Sequence, residues 1–146
     1  MALSSLDARV AVSGQLEPED MADLAAAGFT AVVNNRPDGE AFFGQPRTAA
    51  MQAAAEAAGL RFLDLPFSGP RATPEQAREL AALLADPDSR VVAYCKSGMR
   101  SALLWAAAAM ANGQSLDEVL RSAAGAGHDL RPAADLISSL AQAARG

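Results

Sequence analysis

The chain's single cysteine, Cys95, closes an apolar run and opens the segment Cys95-Lys96-Ser97-Gly98-Met99-Arg100-Ser101, which passes straight into Ala102-Leu103-Leu104-Trp105. A buried strand, a short loop and a helix in that order place one thiol where backbone N–H groups, the positive end of a helix and two cations converge. Such surroundings favour the thiolate, so Cys95 is expected to be a nucleophile. Each neighbour has a task in that reading. Lys96, Ser97, Gly98, Met99 and Ser101 form an anion-binding loop, with Gly98 free to take the positive φ that turns N–H groups inward. Arg100 offers a bidentate guanidinium to an oxyanion or a charged sulfur. Ser101 is expected at the helix start, as a cap or as a donor to the sulfur. A buried, inert cysteine is the alternative, but Lys96, Ser97, Gly98 and Arg100 make poor core packing and good anion chemistry.

Elements that could hold this loop follow from the rest of the chain. Arg9–Gly14 reads as a strand, Pro18–Ala27 as a helix stopped by Gly28, and Phe29–Val33 as a strand apolar on both faces. A polar turn over Asn34–Glu40 follows, then a helix from Arg47 to Ala58 and a strand from Arg61 to Leu65. Thr73 with Pro74 opens a helix to Ala85. Val91–Tyr94 is the most apolar strand, and Ser101–Asn112 is a helix apolar nearly all round, so this pair belongs at the centre of the fold. Helices over Ser115–Ala123 and Pro132–Ala144 complete the chain. Strands alternating with helices predict a three-layer α/β domain with a mainly parallel, four- to five-stranded sheet.

Composition sets the outer bounds. With 146 residues, 51% of them apolar, one domain over residues 1–146 is expected. One cysteine permits no intramolecular disulfide, and with the single histidine, His128, it makes too few ligands for a structural zinc site. No metal and no organic cofactor is implied. No apolar stretch approaches a membrane span and no signal peptide is evident, so the expected location is cytoplasmic. A net charge of −5 argues against a general affinity for nucleic acid or membrane, leaving only a local anion site.

The loop Tyr94–Ser101 resembles both the active-site loop of rhodanese-type sulfurtransferases and the phosphate loop of cysteine-dependent tyrosine and dual-specificity phosphatases. The wider frame, Val12–Leu16, Ala27–Glu40 and Ala57–Leu60 before Leu65-Pro66, resembles the bacterial DUF442 family, the phosphatase-like domain of beta-lactamase hydrolase-like proteins. That resemblance implies a dual-specificity-phosphatase-like fold. Many members carry a sulfurtransferase label, and homologous domains fused to a metal-dependent persulfide dioxygenase imply such an enzyme as a partner.

Two features separate the candidate chemistries. Four residues stand between Cys95 and Arg100, one fewer than in the phosphatases, and a tighter ring suits a terminal sulfur better than a tetrahedral phosphate. A phosphatase also needs an acid for the leaving oxygen, and Pro66–Arg71, where it should lie, has no carboxylate; Asp64 is expected to turn away. Sulfur transfer needs no such acid. The sequence therefore predicts a sulfurtransferase in which a Cys95 persulfide passes sulfur from a small-molecule donor to a thiol or cyanide acceptor. The alternative is a phosphatase with a phosphocysteine intermediate, and a third reading is a non-catalytic persulfide-binding module. Arg36, Asp38 and Glu40 are expected to form an ion pair that fixes their own loop rather than to line the entrance. His128 is expected to be a capping or surface residue, Trp105, Met51 and Met110 core, and Phe67 and Arg71 the pocket rim.

Overall fold

The computed structural model describes residues 1–146. In chain order the elements are β1 (Ser4–Ser5), β2 (Val10–Ser13), α1 (Asp20–Ala26), β3 (Ala31–Asn34), α2 (Thr48–Ala57), β4 (Arg61–Asp64), α3 (Pro74–Ala85), β5 (Val91–Tyr94), α4 (Met99–Ala111) and α5 (Leu116–Gly125). A 3₁₀ turn (Arg131–Ala133) then leads into α6 (Ala134–Arg145). One sheet runs in the order β1-β2-β5-β3-β4, parallel throughout except for the short antiparallel edge strand β1. The expected α/β architecture and mainly parallel sheet are what the chain adopts, with β5 in the middle between β2 and β3.

Strand alternation divides the core between two faces. Val91 and Ala93 join Val10, Val12, Ala31 and Val33 in the larger cluster, which continues into α3, α4 and α6. Val92 and Tyr94 join Val32 on the other face, under Leu16, Met21, Leu24, Met51 and Ala55 around α1 and α2. Because β5 is covered on both sides, all four of its residues are buried, and so is every residue of α4 from Ser101 to Ala109. The all-apolar helix thus lies where a helix without a polar face must lie. No helix is long and apolar enough to cross a membrane.

Two of the boundaries that differ from the sequence reading bear on the site. Asn34 belongs to β3, in register with Tyr94 and Asp64, rather than to the turn. Helix α4 starts at Met99, two residues earlier than expected, because Gly98 takes φ 97° and turns the chain directly into the helix. Ser101 is therefore inside the first turn and is no cap. Its hydroxyl is buried and donates to Asn35 Oδ1 at 2.8 Å, a bond that pins α4 to the end of β3 and leaves nothing for the sulfur.

Candidate active site

Cys95 is the first residue beyond β5, at the carboxyl end of the central strand, where parallel α/β sheets place their ligands. Its own N–H donates to the Ser13 carbonyl at 3.3 Å, continuing the β2–β5 ladder by one rung. The sulfur is buried and accepts the Gly98 N–H at 3.1 Å. That bond needs the left-handed turn at Gly98, which also directs the N-terminus of the 13-residue α4 toward the thiol. The loop is braced on both sides. Lys96's carbonyl oxygen stands 3.0 Å from where a Cβ on Gly14 would be, and His128 Nε2 stands 3.0 Å from where one on Gly98 would be.

Arg100 is held by three bonds. Nη1 donates to Glu40 Oε2 at 2.6 Å and to the Phe67 carbonyl at 3.0 Å, while Nη2 donates to Glu40 Oε1 at 2.8 Å. Glu40 thus takes the end-on edge of the guanidinium, and the Nε/Nη2 edge keeps an unbonded hydrogen on each nitrogen. Glu40 raises the Arg100 pKa most, burial works against it, and the Cys95 sulfur adds to the rise. Arg100 is therefore within electrostatic reach of the Cys95 sulfur. Arg36 binds the same carboxylate, with Nε donating to Glu40 Oε1 at 3.0 Å and Nη1 to Gln15 Oε1 at 3.0 Å. Chiefly through the hydrogen bond from Arg100, the Glu40 carboxyl is held below its ordinary value, against a smaller cost of burial.

Arg36, Glu40, Ala41, Gly69, Lys96 and Arg100 line a cavity of about 370 Å³ beside this loop. A larger cavity of about 690 Å³ lies between α5 and the His128–Arg131 segment; Cys95, fully buried, lines neither, and the smaller one is singled out because Lys96 and Arg100 of the cysteine's own loop line it. The sequence-derived loop residues fall as follows: Lys96 lines the cavity, Ser97 is exposed with its hydroxyl accepting the Met99 N–H at 3.4 Å, and Met99 is 40% exposed on the first turn of α4.

Several expectations need correction. The expected ion pair forms between Arg36 and Glu40 at 3.0 Å but without Asp38, which accepts two bonds from Thr48, at 2.8 and 2.9 Å, at the start of α2; Arg36 and Glu40 also line the cavity and join the site. Phe67 contributes its carbonyl while its ring is in the core, and Gly69 replaces Arg71 at the rim. Asp64 is turned away, accepting from Asn34 Nδ2 at 2.9 Å. His128 does cap α5, its N–H donating to the Ala123 carbonyl in a Schellman arrangement, but its ring also packs on Gly98. The clamp on Arg100 was missed because Glu40 is 60 residues away in sequence; its one signal was a carboxylate on a loop at the carboxyl end of a parallel strand.

Comparison with known proteins agrees with this geometry. Residues 2–112 match the family described as beta-lactamase hydrolase-like protein, phosphatase-like domain. A beta-lactamase hydrolase-like protein of Xylella fastidiosa (strain Temecula1) is 33% identical over 120 residues, 82% of this chain and 28% of that protein. The chain spans less than a third of that relative. A candidate phosphatase from Neisseria meningitidis, solved by crystallography, superposes with a TM-score of 0.79 at 30% identity, covering 96% of this chain and 99% of that one. Pseudomonas aeruginosa TpbA, crystallised in complex with pTyr, shares the fold with a TM-score of 0.66 at 19% identity, over 97% of this chain and 89% of that one.

These likenesses overturn the expected sulfurtransferase. Neither sequence argument for sulfur excludes phosphoryl transfer. Beyond the Cys95-to-Arg100 spacing, the cavity also receives Arg36 from outside the loop, so the loop alone does not make up the anion site. The one carboxylate that enters the site, Glu40 from the loop after β3, is bound to Arg100 and Arg36 and supplies no acid, so the lack of an acid bears on which leaving group departs and does not exclude phosphoryl transfer.

Proposed function

Because the chain belongs to the phosphatase-like domain family of beta-lactamase hydrolase-like proteins, we propose that it is a cysteine-dependent phosphatase. One observation carries the reading: a buried sulfur that accepts the Gly98 N–H lies within electrostatic reach of an arginine whose Nη1/Nη2 edge is clamped by Glu40 and whose Nε makes no hydrogen bond. The Nε/Nη2 edge of Arg100 is the natural partner for two phosphoryl oxygens, and the loop N–H groups with the end of α4 serve the third. Cys95 Sγ attacks phosphorus, the bond to the leaving oxygen breaks, and a phosphocysteine forms. Water then attacks phosphorus, the S–P bond breaks, and inorganic phosphate leaves with the thiolate restored. Charge developing on the phosphoryl oxygens is met by groups already in place, so little reorganisation is needed.

Glu40 is a positioning residue in this scheme. Bound to two guanidinium groups, its carboxyl is held in the ionised form and is a poor proton donor at neutral pH. Turnover of p-nitrophenyl phosphate, whose leaving group departs without a proton, is the direct test. Wild-type protein releases phosphate and Cys95→Ser releases none; equal release by both proteins would sink the reading.

A further inference from the structure

The cavity is more cationic than one phosphoryl group requires. Arg36, Lys96 and Arg100 face a single carboxylate, Glu40, inside a protein whose net charge is −5. Arg100 and the loop N–H groups suffice for the group being transferred, which leaves Arg36 and Lys96 over. Arg36 is informative because its side chain is 7% exposed and its Nη2 makes no hydrogen bond, yet no buried side-chain nitrogen lacks a partner. What remains accessible of Arg36 is therefore the unbonded Nη2, on a residue that lines the cavity. Its Nε and Nη1 are taken up by Glu40 and Gln15, so Nη2 is the donor left for a ligand in the cavity.

Lys96 is the only lysine of the chain, whose other eleven cationic side chains are arginines. It makes no ion pair. Arg36 and Arg100 share one oxygen of Glu40, at 3.0 and 2.8 Å, so both lie within reach of one small ligand. A second feature points the same way. No carboxyl group in the cavity is poised to protonate an alkoxide: Glu40 is held ionised, and Pro66–Arg71 supplies no carboxylate. A leaving group that departs already as a stable anion needs no acid.

Resting on the phosphatase reading, we infer that the substrate is a diphosphate, with the transferred phosphoryl on the Cys95–Arg100 loop and the second phosphoryl on Arg36 and Lys96. The Cys95 sulfur attacks the terminal phosphorus, the anhydride P–O bond breaks, and that oxygen leaves on the second phosphoryl as a phosphate monoester without taking a proton. Water then cleaves the phosphocysteine as before. The subsite gives the leaving phosphate two cations as its charge increases, so the interaction strengthens in the transition state.

The test pairs turnover with binding in metal-free buffer. The full chain is assayed with methyl diphosphate, phenyl phosphate and p-nitrophenyl phosphate, as wild type, Lys96→Met and Arg61→Gln; Arg61 is an exposed residue at the other end of its strand and controls for net charge. Methyl diphosphate is expected to exceed phenyl phosphate in kcat/KM by on the order of tenfold or more, and Lys96→Met to remove most of that ratio while Arg61→Gln keeps it. A ratio near one in wild type, or an equal fall in both variants, overturns the subsite. Calorimetric titration of Cys95→Ser with inorganic phosphate, phosphonoacetate and methylenebisphosphonate reads the same subsite without catalysis. Methylenebisphosphonate should bind about tenfold more tightly than phosphate. Equal binding of phosphonoacetate and methylenebisphosphonate would assign the second group to a carboxylate and overturn the diphosphate. Failure to hydrolyse p-nitrophenyl phosphate while methylenebisphosphonate still binds preferentially would reject the phosphatase reading and leave the subsite standing.

Discussion

Glu40 decides how Arg100 works. A guanidinium on a flexible stem loses rotamer freedom when it grips a ligand, and a carboxylate on its end-on edge removes that freedom beforehand. Glu40→Gln should lower kcat/KM by on the order of 10²-fold, with Glu40→Asp recovering part of the loss. The loss should be the same for leaving groups of low and high pKa, because Glu40 acts through Arg100 and not as an acid. A loss that grows with leaving-group pKa would contradict this role. The same contact makes stability depend on acid. Since the folded state holds Glu40 below its ordinary 4.5, the unfolded chain binds the proton more readily. The contribution is therefore complete above about pH 4.5 and is lost as pH falls through the lower folded value. Denaturant titrations across that range should show wild type losing more stability than Glu40→Gln.

The turn from β5 into α4 is the element on which the site depends. Gly98 combines φ 97° with a ring nitrogen of His128 only 3.0 Å from a would-be Cβ, so a side chain meets two separate obstacles. Gly98→Ala should cost about 1–2 kcal/mol and remove most activity, since the Gly98 N–H no longer points at the sulfur. Adding His128→Ala relieves the contact but not the backbone strain. The double variant should regain part of the stability in thermal melts and little of the activity. Full recovery of both would show that φ was unimportant. At the start of α3, Thr73 and Gln76 form a capping box and Gln76 Nε2 donates to the Pro66 carbonyl at 2.7 Å, which ties the helix to the loop that supplies Phe67. The capping pattern was legible in Thr73-Pro74-Glu75-Gln76, but its tie to the active-site wall was not. Sequence periodicity reports a helix's own beginning, not what lies beside it.

Across the whole molecule, the central position of β5 and α4 makes the site rigid, because every residue from Val91 to Cys95 is buried and the helix behind them is enclosed by α3, α5 and α6. Leu104, fully buried in the larger core cluster, should cost about 2–5 kcal/mol as Leu104→Ala, read as a lowered melting temperature. If that substitution leaves stability unchanged, α4 is not the core of the fold. The place of the thiol after the central strand, the turn glycine, the parallel α/β sheet and the central strand–helix pair were legible in the sequence, because each is carried by neighbours along the chain: apolar runs, a glycine at a turn, a cap before a helix. The kind of anion was not. It depends on Arg36 and Glu40 from the loop after β3, on the Phe67 carbonyl after β4, and on Ser101 turning to Asn35 once α4 starts two residues early. These groups are far apart in the chain and meet only because parallel strands bring their carboxyl ends to one edge of the sheet. Local pattern therefore determined which residue is the candidate nucleophile, and only the tertiary structure decided what surrounds it, since a binding site is a sum of charges and hydrogen-bond donors in space rather than along the chain.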